Sequence, residues 1–196
     1  MSRFDDEHEH PLGRPRDDSI DQRVFSACLE LLLESGWDGM SLRQVAVRAG
    51  VSRTIVQLRW SSKAELVLHA ILGQAPDLAP FTGTDRVGWI AWVVEGSHLL
   101  FARDEVQAAL PGLLVALQND PDLRASLWRH FSDPAIDLFT EGDESARNDA
   151  RAILVMAAGA ALFSTTIAAQ DDTPALRSTM TTLLTLAAGL PPDPAE

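Results

Sequence analysis

Residues 41–63 read SLRQVAVRAGVSRTIVQLRWSSK, a window with five cationic side chains and no acid. Two serine capping signals, SLRQ at 41–44 and SKAE at 62–65, each place a helix start. Between them AGVS breaks the periodicity, and Gly50 suits a left-handed turn position. Val45, Ala49, Val51, Val56 and Trp60 recur at spacings that give two short helices one shared apolar side, and Ala46 is small enough for the helices to cross closely. The remaining residues of the second helix, Ser52, Arg53, Thr54, Gln57 and Leu58, then face outward. This is the pattern of a helix-turn-helix, whose second helix reads the major groove of DNA.

Charge sharpens the reading. The chain of 196 residues has a formal net charge of −12, yet the window from 41 to 63 stands at +5. An acidic body repels polyanions, so a local cationic patch attracts one only if it is oriented outward. Arg53 is placed to grip guanine, Gln57 to pair adenine, and Leu58 to pack on a thymine methyl. Arg43, Arg59 and Lys63 are expected at phosphates, where contacts fix position rather than sequence.

The window resembles the TetR family of bacterial transcription regulators. Gly36, Trp37, Ser41, Arg43, Val45, Ala46, Ala49, Gly50, Val51, Ser52, Arg59, Trp60, Ser62 and Lys63 carry the resemblance, which covers roughly residues 19–72. It departs at Gln57, where the family usually has a tyrosine that touches the DNA backbone, and at Ile55 and Leu58. The resemblance implies a homodimer with an N-terminal DNA-binding domain and a divergent helical body that binds a small effector.

Working outward, residues 1–17 are polar and aperiodic and read as a disordered acidic tail without a secretory apolar stretch. His8 and His10 lie there without the fixed geometry a metal needs, and Arg14 and Arg16 could serve as a minor-groove arm. A DNA-binding domain is expected over 18–72 and an effector-binding and dimerisation domain over 73–196. Apolar repeats at three and four residues continue to the end, so the fold class is all-α. A first helix of about 17 residues, two short ones and a fourth near Ser62 precede helices over 84–102 and 104–117, the latter kinked or split at Pro111. Further starts are expected at Asp120, at Asp133–Pro134 and at Thr173, with a long helix over 145–170.

In that body Trp89, Trp92, His98, Phe101, Leu113, Leu117, Trp128 and Phe131 are the candidate lining of an apolar effector pocket. Ala157, Ala161, Phe163, Thr165, Leu183 and Leu186, on the last two helices, are the candidate dimer interface. The uncharged run 152–170 is long enough for a membrane span, but its alanines and threonines and lack of aromatic anchors favour a buried helix. One cysteine, Cys28, rules out an internal disulfide and fits a cytoplasmic location. No nucleophile–base pair, metal spacing or phosphate loop appears, so the reading is a regulator, not an enzyme, with no cofactor or metal. Its partners would be operator DNA, a small effector and a second copy of the chain. The competing reading is a dimeric small-molecule binder or protein-interaction module whose helix-turn-helix no longer reads DNA.

Overall fold

The computed structural model describes residues 18–73, 85–140 and 144–191. The expected tail, the two-arginine arm and most of the loop before residue 85 lie outside them. Every regular element among the described residues is a helix. In chain order they are α1 (Asp18–Gly39), α2 (Leu42–Arg48), α3 (Arg53–Arg59), α4 (Lys63–Leu72), α5 (Arg86–Phe101), α6 (Asp104–Asn119), α7 (Pro121–Leu127), α8 (Asp133–Thr140), α9 (Arg147–Thr166) and α10 (Pro174–Ala187).

The sequence signals act where they were read. Gly36, at φ 66°, interrupts α1 so that only one turn follows it. The Ser41, Ser52 and Ser62 hydroxyls accept from the amides three residues on, at 3.3, 3.2 and 3.1 Å. Glu65 reaches back to Ser61 rather than to Ser62, taking its amide at 2.6 Å and its hydroxyl at 2.7 Å. After α2, Gly50 at φ 65° and the bonds Gly50 N–H to Val47 O and Val51 N–H to Ala46 O close a Schellman turn that swings the chain into α3.

Two expectations about proline differ. Helix α6 runs unbroken through Pro111, which is exposed, so solvent can satisfy the carbonyl its missing amide leaves behind. Asp133 does not restart a helix. Residues Trp128–Ser132 form a π turn, the Asp133 amide bonds Trp128 O, and α7 passes directly into α8. The wider turn absorbs the position where Pro134 cannot donate. The long helix of 145–170 is shorter than expected, with 3₁₀ turns at Glu144–Ala146 and Ala169–Asp171 flanking α9.

Two apolar clusters hold these helices. The first joins Val24, Cys28, Leu32, Val45, Val56 and Trp60 to Val106, Ala109 and Leu113 of α6, so α6 shares the core of the N-terminal helices. The second lies between α5, α8, α9 and α10 around Trp89, Ile90, Phe139 and Ile153. Among the described residues no helix is long and apolar enough to cross a membrane.

Candidate DNA-reading surface and effector cavity

On α3 the division of faces is sharp. Val56 and Trp60 are fully buried, and Trp60 meets Phe25 edge-on at 5.5 Å. Ser52, Arg53, Thr54, Gln57 and Leu58 are exposed, Leu58 by 81%. On α2, Arg43 is exposed beside Val47, which is 76% exposed. Sequence reasoning passed over Val47, although it stands four residues after Arg43 and therefore on the same face.

The five cations of the window part company. Arg48 pairs with Glu34 at 2.6 Å, and its guanidinium holds the Glu34 carboxyl below the usual range. Arg59, expected at a phosphate, turns inward to the carboxylate of Asp21, which is 1% exposed. Lys63, also expected at a phosphate, donates to the carbonyls of Trp37 at 2.8 Å and Met40 at 3.3 Å. Its ammonium lies 4.4 Å from the Trp37 ring centroid, and burial pulls its pKa down. These side chains lose their expected place because acceptors on α1 and its last turn are nearer than solvent. Arg43 and Arg53 have no ion-pair partner among the described residues, so they carry the outward charge.

In the body, α4, α5, α6, the π turn and α9 enclose a cavity of about 280 Å³. Phe101, Leu113, Leu117, Trp128 and Phe131 line it, as expected, together with Leu68, Ile71 and Leu72 of α4. The hydroxyls of Ser97 and Ser132 are its polar side chains. Trp92 borders an adjoining cavity of about 240 Å³ that shares Leu72, Ser97 and Phe131. Trp89 and His98 line neither. Trp89 is locked into the second core, tilted on Phe139 at 4.8 Å with its indole N–H donating to Ala135 O at 2.7 Å. The His98 ring lies 3.2 Å from Asp172, which also accepts from Arg177 at 3.0 Å. Both sit on flanks of α5 that face other helices, a distinction that aromatic spacing alone does not carry.

The expected dimer residues divide likewise. Phe163 on α9 and Leu183 and Leu186 on α10 are exposed, and Met156 and Ile167, the residue that caps α9, lie on the same side as Phe163. Ala157 and Ala161 are buried on the opposite side of α9, where their small size lets α5 approach within the same chain. Thr165 accepts from Gln107 at 3.3 Å and donates to Ala161 O at 2.9 Å, so it too serves the interior.

Residues 24–70 match the family described as bacterial regulatory proteins, tetR family. The chain is 38% identical over 124 residues to the uncharacterized HTH-type transcriptional regulator YdeS of Bacillus subtilis, covering 62% of each protein. It is 31% identical over 119 residues to the DNA-binding transcriptional repressor TetR of Mycobacteroides abscessus, covering 59% of this chain and 62% of that one. The chain thus spans about three fifths of the length of these relatives, which are named as regulators of transcription rather than as enzymes. A TetR transcriptional regulator from Rhodococcus sp. RHA1 shares the fold, with a TM-score of 0.65 at 17% identity over 86% of this chain and 95% of that one. The match to the tetR family of bacterial regulatory proteins thus covers the stretch from α1 to α4 that carries the candidate reading surface.

Proposed function

We propose that the chain binds a palindromic DNA operator as a homodimer and represses transcription until a small apolar effector releases it. The observation that carries this reading is the outward face of α3, where Arg53, Thr54, Gln57 and Leu58 are exposed while Val56 and Trp60 anchor the helix. Arg and Gln are side chains that can each make two bonds to a base edge. Two such helices would enter successive major grooves about 34–36 Å apart, or a small multiple of that. The exposed stripe of Met156 and Phe163 on α9 and Ile167 at its end, with Leu183 and Leu186 on α10, supports pairing of two copies.

The release step is supported by the position of α4. Its Leu68, Ile71 and Leu72 wall the 280 Å³ cavity, and its first turn follows directly on α3. An effector that fits the cavity better when α4 is displaced selects a dimer whose reading helices are wrongly spaced. By linkage, DNA then weakens effector binding by the same factor.

Selection from random duplex DNA by the purified protein at physiological salt tests the proposal. Enrichment of a palindrome is the expected result. A folded dimer that enriches nothing would favour the second reading, a ligand-binding or interaction module without DNA specificity. The inward turn of Arg59 and Lys63 speaks for that reading.

A further inference from the structure

A second cavity of about 310 Å³, which shares Leu68, Leu72, Leu127 and Phe131 with the 280 Å³ one, lies at the seam between α1 and α4 on one side and α7 with the π turn on the other. Phe25, Leu68, Leu72 and Phe131 give it apolar walls, and Glu65 and His130 stand at its edge, half-buried and exposed respectively. The partners of these two groups fix what they offer a ligand. His130 Nδ1 lies 2.9 Å from the Ser126 carbonyl oxygen, which can only accept. With Nδ1 taken up by Ser126, Nε2 is the ring nitrogen left for a ligand. Glu65 spends one carboxylate oxygen on the amide and hydroxyl of Ser61, at 2.6 and 2.7 Å, and retains the other.

His69 also lines the cavity, with its Nδ1 taken by the Trp60 indole N–H at 3.0 Å, so the charge of the site is set by the Glu65 carboxylate, in a chain of net charge −12. Such a site rejects anions and rewards a donor-rich cation. The π turn is a second sign that the place is functional. Its wider winding, seen in the bond from the Asp133 amide to Trp128 O, brings His130 and Phe131 to the cavity, and π turns concentrate at functional sites.

We propose that this seam cavity, on the far side of Leu72 and Phe131 from Ala158 and the rest of the α9 wall of the effector cavity, is a binding site for an organic amine carried on an apolar, ring-sized body. The ring lies against Phe25, Leu72 and Phe131, and the ammonium donates to Glu65 and to His130 Nε2. Because one wall belongs to the helix-turn-helix end and the other to the body, the ligand fastens the two together. The inference stands whether or not α3 reads bases.

Calorimetric titration at pH 8 with tryptamine, and with indole-3-propionate as the same ring bearing the opposite charge, tests it. Tryptamine is expected to bind at least about tenfold more tightly than the acid. His130→Leu and Glu65→Gln should each weaken tryptamine by about three- to tenfold. Ala158→Phe, which fills the effector cavity, should leave it within about twofold. His130 is exposed, so its variant keeps the test sound even if Glu65→Gln fails to fold. The proposal is overturned by absence of saturable tryptamine binding, by equal affinity for the acid, or by unchanged affinity in His130→Leu. Loss of binding in a folded Ala158→Phe would overturn it too, placing the amine in the other cavity.

Discussion

Arg53 and Arg59 stand six residues apart with the same charge, yet their surroundings set them opposite tasks. Arg53 is exposed on the outer face of α3, whereas Arg59 compensates the buried carboxylate of Asp21. Arg53→Ala should therefore lose about 1–3 kcal/mol of discrimination at one base position while the fold stays intact. Arg43→Ala should weaken all duplexes alike. Arg59→Ala should instead lower stability by about 1.5–3 kcal/mol, because it removes a charged hydrogen-bond partner of the buried Asp21 carboxylate. Binding of single-base operator variants, with urea melts alongside, separates the three. The sequence identified the exposed set on α3 from its period alone. It could not tell that Arg59 and Lys63 turn inward, since the acceptors that take them, Asp21 and the carbonyls of Trp37 and Met40, are brought near only by folding.

At the scale of the helix, two predictions concern α6 and α1. Gly112 of α6 has no side chain because the indole of Trp37 occupies the space, and a Cβ there would lie 2.1 Å from its ring. Gly112→Ala should cost about 1–3 kcal/mol, read as a fall in the melting temperature. A neutral result would mean that the α1–α6 contact gives way freely. On α1, burial pushes the Cys28 thiol up to about 12. The folded thiol then keeps its proton where the unfolded one ionises, so stability is full below about pH 9 and declines as pH rises from there. Cys28 should react with a thiol reagent only as fast as the chain opens, and rapid labelling of native protein would contradict its burial. Helix starts were legible because a capped serine, aspartate or threonine acts within three residues. The passage through Pro111 and the π turn before Pro134 were not, since each depends on what lies beside the helix rather than on the proline itself.

For the whole molecule, the proposed pairing of two copies rests on the apolar side chains that α9 and α10 leave exposed. Of the six residues the sequence proposed for pairing, Phe163, Leu183 and Leu186 are exposed, with Met156 and Ile167 on the same side as Phe163, whereas Ala157 and Ala161 are buried. Small residues signal close helix approach but not whether the neighbour is in the same chain. Phe163→Glu should turn dimer into monomer in sedimentation at micromolar concentration and, with the half-sites no longer held together, weaken operator binding by at least about tenfold. Ala157→Leu, by contrast, should destabilise the protomer itself by overfilling the α5–α9 contact.

Whether the outer face of α3 reads base sequence is tested by binding anisotropy on the selected palindrome and a scrambled duplex of equal length. Wild-type protein should prefer the palindrome by about 10³-fold or more at physiological salt. The Arg53→Ala/Gln57→Ala variant should bind both duplexes alike, near the scrambled-duplex affinity of the wild type. Equal binding of both duplexes by wild-type protein, or a preference that survives the double substitution, would contradict the account.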